Sequence, residues 1–118
     1  MKNIHESVSK LLVIKLDKYK NRNLNDETCT LIYQDVFDCF VDLFEESNIN
    51  ISNESMNLLS QMYYDSIKIN NNQDLNPNIF EKRASTKNID SKELALLATM
   101  FSGTAYSEPI LYELKRRS

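Results

Sequence analysis

Apolar positions recur at three- and four-residue intervals along nearly the whole chain, and no alternating run exceeds four residues. That period predicts an all-α protein, a single-domain bundle of about five helices covering residues 1–118. The first helix is expected over Ile4 to Tyr19, with Ile4, Val8, Leu11, Leu12, Leu16 and Tyr19 on one face. The stretch NRNLN (21–25) breaks it. The second helix opens at Asn25 or Asp26, either of which can cap it, and runs to about Ser47. Cys29, Tyr33, Val36, Phe37, Phe40, Leu43 and Phe44 share a broad apolar arc, so this helix is expected to be deeply embedded. NINIS (48–52) reads as a loop. Ser52 or Asn53 then caps a third helix, roughly Glu54 to Ile69, which buries Met56, Leu59, Met62, Tyr63 and Ile67.

The asparagine run Asn70 to Asn72, followed by Asn76-Pro77, predicts a loop or hinge and the most mobile part of the chain. A short helix over Pro77 to Arg83 is anchored by Ile79 and Phe80. The fourth main helix, Lys92 to Ser102, opens at Asp90 or Ser91. It is apolar nearly all round and is expected at the centre of the domain. Gly103, the only glycine, falls where a residue of positive φ ends a helix. Ser107 is expected to cap the last helix, which docks through Ile110, Leu111 and Leu114. Lys115, Arg116 and Arg117 complement its dipole.

Charge adds a second pattern to the first. Between Arg22 and Lys68 lie 45 residues with nine carboxylates and no Lys or Arg. The net charge of -3 is therefore a -9 block against a +6 remainder. On the second helix Asp35, Asp38, Asp42, Glu45 and Glu46 align into one stripe, with Leu31 on the same arc. A solvated helix face mixes signs, because like-charged neighbours cost ~0.2–0.5 kcal/mol each. A face of one sign attracts a basic partner, or else a basic part of the same chain, either the first helix or the C-terminus. Tyr64, placed away from the core arc of its helix, and Tyr106, in a turn, are expected as interface anchors.

Catalytic chemistry is not expected, and neither are a metal and a cofactor. One glycine excludes phosphate-cradling loops and nucleophile elbows. The single histidine, His5, is expected at the surface. Cys29 and Cys39 lie ten residues apart on one helix, ~15 Å at the rise of an α-helix, which is too far for a disulfide. Two reduced cysteines, the missing apolar core of a signal peptide and the lack of a membrane span predict a cytoplasmic protein.

Small, acidic, motif-free helical chains of this kind resemble bacterial immunity proteins of the colicin and contact-dependent growth inhibition systems. The stretch NIDSKELALLATMFSGTAYSEPILYELKRR (88–117) is similar in character to immunity proteins of the contact-dependent type. The resemblance implies an inhibitor that neutralises a cognate nuclease toxin, an RNase or DNase, by covering its basic active surface. Leu31, Asp35, Asp38, Asp42, Glu45, Glu46, Tyr64 and Tyr106 are the candidate partner-binding residues on the charge and tyrosine arguments above. Three alternatives stand beside it. One is a phage or plasmid inhibitor of a host nuclease, with the same acidic surface. Another is a helix-turn-helix regulator that binds nucleic acid through residues 91–117. The last is a structural subunit that oligomerises through its tyrosines. The Pro109 in the first turn and the acidic balance speak against the helix-turn-helix.

Overall fold

The computed structural model describes residues 4–69 and 73–118. It is a mostly α-helical fold with α1 at Ile4–Leu16, α2 at Asp26–Glu46, α3 at Asn53–Ser66, α4 at Ser91–Met100 and α5 at Glu108–Arg117. α2 packs against both α1 and α3, and α4 packs against α5. α2 is the axis of the bundle. Its fully buried residues include Cys29, Ile32, Val36, Cys39 and Phe40, and burying a large apolar side chain contributes about 1.5–3 kcal/mol. The capping choices resolve to Asn25, Ser52 and Asp90, whose side chains accept from the backbone N–H of Thr28, Ser55 and Lys92. α1 continues as a 3₁₀ turn to Tyr19, matching the expected span.

The end of α2 is a Schellman turn. The Ile49 N–H donates to the Phe44 carbonyl at 2.9 Å and the Asn48 N–H to the Glu45 carbonyl at 3.1 Å. Asn48 has φ 56°, a left-handed conformation that asparagine tolerates better than most residues. Gly103, at φ 82°, follows α4 in the same conformation, as its position predicts.

Elsewhere the fold departs from the expected pattern. α3 stops at Ser66, and Lys68–Ile69 pairs antiparallel with Gln73–Asp74 in a minimal hairpin. The expected loop residues Asn70 to Asn72 lie outside the described residues. The short helix expected to Arg83 is only a 3₁₀ turn over Pro77–Ile79. α4 is one-sided rather than central: Leu94, Leu97 and Met100 are buried, while Ala95, Leu96 and Thr99 are exposed. Ser107 caps nothing. It ends a 3₁₀ turn, and its hydroxyl donates backwards to the Thr104 carbonyl at 2.8 Å.

α5 docks through Ile110 and Leu114 as expected, but not through Leu111. Ile110 is buried, but Leu111 is half-exposed and Tyr112 largely exposed, while Glu113 is 3% exposed. Both oxygens of Glu113 accept from Arg116, at 3.0 and 2.6 Å, and one also accepts from Arg117 at 2.8 Å. The rest of the Arg117 guanidinium reaches the Ile89, Thr86 and Lys87 carbonyls and the Ser91 hydroxyl at 2.8–3.1 Å. Arg117 thus staples the end of the chain to the turn that leads into α4. Hydrogen bonds from Arg116 and then Arg117 hold the Glu113 carboxyl down at about 2, against an ordinary 4.5.

Candidate functional site

The acidic stripe of α2 is present as a surface, and its members differ in what they touch. Asp38, Asp42, Glu45 and Glu46 are exposed. Among the described residues none of the four makes an ion pair within 4 Å. Leu31 stands exposed on the same row, at 36%. Glu27, not among the expected residues, is exposed too, and its place one turn before Leu31 extends the row. From Glu27 to Glu46 the row runs ~28 Å along the helix.

Asp35 behaves differently. The Tyr19 hydroxyl donates to its Oδ2 at 2.7 Å, and Lys18 Nζ lies 3.1 Å from the same oxygen. Tyr19 is 2% exposed, and burial first, then the Asp35 carboxylate, push its hydroxyl up to about 12. The basic end of α1 has therefore captured one carboxylate of the stripe, which ties the 3₁₀ turn after α1 onto α2. This is the internal compensation that the charge pattern left open, but among the described residues it reaches only Asp35. The C-terminal bases do not join it, since Arg116 and Arg117 are held by Glu113.

Cys39 lies just beneath the stripe. Burial, opposed by Lys15 and reinforced by Asp35, Asp42 and Asp38, pushes its thiol up. A buried thiol held neutral is a packing residue rather than a nucleophile. Cys29 is also free and buried. Among the described residues no group of three or more His, Cys, Asp or Glu is arranged to hold a metal ion, and no helix is long and apolar enough to cross a membrane.

Tyr64 has to be corrected. It is fully buried, and its hydroxyl donates to the Asn76 carbonyl at 2.6 Å. A helical wheel assigns one buried face, but α3 is covered twice. α2 and Phe101 cover the side of Tyr63, and the segment from Asn76 to Phe80 returns over the side of Tyr64. Burial pushes both tyrosine hydroxyls up, Tyr64 with help from Cys29.

Tyr106 is half-buried and stacks on Tyr63 with centroids 3.9 Å apart and planes 8° from parallel. It shares a hydrogen bond with the Ser66 hydroxyl at 2.8 Å. Both rings therefore serve the packing of the fold. The exposed tyrosine is Tyr112, at 72%. Tyr112 is passed over when Ile110, Leu111 and Leu114 are placed on the docking face from sequence. His5 is not a free surface residue either: its Nδ1 and the Tyr63 hydroxyl are hydrogen-bonded at 2.6 Å.

Two of the surface clefts are lined by described residues. One, of about 640 Å³, lies between α3 and residues 79–88 and is lined in part by Tyr33, Asn57, Gln61 and Phe80. Its walls are already tied together by bonds from the Tyr33 hydroxyl to Asn57 at 2.7 Å and from the Ala84 N–H to Gln61 at 2.9 Å. The second, of about 380 Å³, lies at the C-terminal end of α2 and includes Glu45 of the stripe.

Comparison with protein families, with curated proteins and with solved structures finds no match to this chain, so its function is argued from its own surface.

Proposed function

We propose that the chain is a bacterial immunity protein of the cytoplasm that binds a cognate nuclease toxin and blocks its basic active surface with the exposed face of α2. The observation that carries this reading is the uncompensated row of Asp38, Asp42, Glu45 and Glu46 on the helix that forms the bundle axis. A nuclease must hold a phosphate backbone, so its active surface is basic. Carboxylates on a rigid, well-packed helix can occupy the positions of those phosphates, and opposite fields speed the encounter. Leu31 gives the row an apolar contact near its upper end. Asp35 supports the row from behind rather than contacting the partner.

The protein is read as a binder rather than a catalyst. An inhibitor of a host nuclease carried by a phage or plasmid would use the same face, and partner identity separates the two. The nucleic-acid-binding alternative is weakened by Glu113, which engages Arg116 and Arg117 and leaves Lys115 as the member of that basic triplet with no ion pair among the described residues. The test is to read the adjacent upstream gene and, where it encodes a toxin domain, to coexpress that domain with this protein. Cell survival, and loss of nuclease activity at one inhibitor per toxin, are expected. Cell death with no complex on a sizing column would refute the proposal, and a shift of random DNA at low salt would favour the regulator.

A further inference from the structure

At the lower end of the stripe, the helix, its turn and the loop before α3 enclose the groove of about 380 Å³. Val41, Phe44, Ile49, Ile51 and Met56 give it an apolar floor. Its rim carries Glu45 and the carboxamides of Asn48, Asn50 and Asn53. Among the described residues these three carboxamides make no side-chain hydrogen bond. Glu45 is the only charged residue lining it.

The position of the groove adds a third feature. The C-terminus of a helix carries the negative end of its dipole and favours cations. The last turn of α2 has no basic residue and holds Glu45 and Glu46 instead. Both carboxylates there oppose the dipole, so the fold alone gives no reason for them. A cation seated in the groove would relieve Glu45, which lines it.

We propose that this groove takes an arginine side chain of the partner, as the anchor of the complex. The inference rests on the acidic-face reading and specifies which part of that face grips. The aliphatic stem lies on the floor from Val41 to Met56, and the guanidinium meets Glu45 and the carboxamide oxygens of the rim. Arginine fits better than lysine. Its guanidinium is planar and weakly hydrated, and it presents five donors to a carboxylate and flanking amide oxygens, whereas an ammonium is compact and strongly hydrated. Arginines seated in partly apolar pockets are also frequent hot spots of protein interfaces.

Butylguanidinium chloride, the side chain without its backbone, is the probe. Titrated into the ¹⁵N-labelled protein, it should produce saturable amide shifts at Glu45, Asn48, Ile49 and Asn53. Glu45→Gln, which keeps the shape and removes the charge, should weaken binding at least about fivefold, with folding checked by circular dichroism. Butylurea should give no shifts. Unsaturable shifts, equal binding to Glu45→Gln, or shifts centred on Asp38 and Asp42 would overturn the proposal. Equal affinity for butylammonium would overturn the choice of arginine. If toxin neutralisation succeeds while this titration fails, the groove is refuted and the acidic face stands. If the titration succeeds and neutralisation fails, the nuclease reading falls alone.

Discussion

Two regions of this protein concentrate charge, and they end in opposite states. At the C-terminus, Glu113, Arg116 and Arg117 form a closed network in which the carboxylate is nearly out of solvent and each guanidinium has a partner. Along α2, Asp38, Asp42, Glu45 and Glu46 face solvent and make no ion pair among the described residues. The C-terminal charges hold the chain together. Those on α2 repel one another at spacings of three and four residues and oppose the helix dipole at its end. The difference teaches that a run of charge has no fixed meaning. What decides it is whether the tertiary fold brings the opposite sign within reach. Asp35 sits on the boundary: it has the spacing of the open row and the partners of a closed network.

Reversing the open row has the largest expected effect. Asp38→Lys with Asp42→Lys should weaken binding of the cognate nuclease by roughly 100-fold, as expected for losing close charge pairs at an interface. Thermal unfolding of the free protein should stay the same or move upward, because intramolecular repulsion is removed. A fall in stability equal to the loss of binding would place these residues among the structural ones. Next in size is the closed network. Arg117→Ala removes a charged donor from the carbonyls of Thr86, Lys87 and Ile89, and should cost about 2 kcal/mol in urea unfolding. Toxin affinity measured on the folded fraction should not change.

Acid probes the closed network at the C-terminus. Glu113 has a folded-state pKa depressed to about 2, so its stabilisation is complete above its unfolded value near 4.5 and is lost as pH falls from there toward about 2. Melting temperature should decline across that window in the parent protein and decline less steeply in Glu113→Gln. Asp35→Asn is a smaller perturbation. It weakens the tie to Tyr19 and Lys18, and should cost about 1 kcal/mol of stability while changing toxin affinity less than threefold. The smallest effect has the opposite sign. Glu46→Lys places a cation at the C-terminus of α2 and should stabilise the free protein by about 0.3–1 kcal/mol in urea unfolding while weakening the complex.

Much of this architecture can be read along the chain. α1 and α2 follow from period, because each has a regular apolar face and a clear stop signal. The row of Asp38, Asp42, Glu45 and Glu46 is legible for the same reason, since helical spacing alone puts these residues on one face. The remainder depends on contacts between distant segments. Tyr64 is buried because residues 76–80 fold back over α3, and no wheel drawn on one helix contains that segment. Glu113 turns inward because two arginines follow it at three and four residues, which satisfies its charge and leaves Leu111 and Tyr112 outside. The capture of Asp35 requires α1 to lie along α2 in one register. The hairpin at 68–74 has two-residue strands, too short to show any alternation.

The proposed function depends on the open row of α2 meeting a basic surface. The most direct measurement is the affinity of this protein for its cognate nuclease domain across a salt series, beside the Asp38→Lys, Asp42→Lys variant. The account predicts that the affinity of the parent protein falls steadily as salt rises, and that the variant binds more weakly with a shallower dependence. Equal affinities, or a parent affinity indifferent to salt, would contradict it.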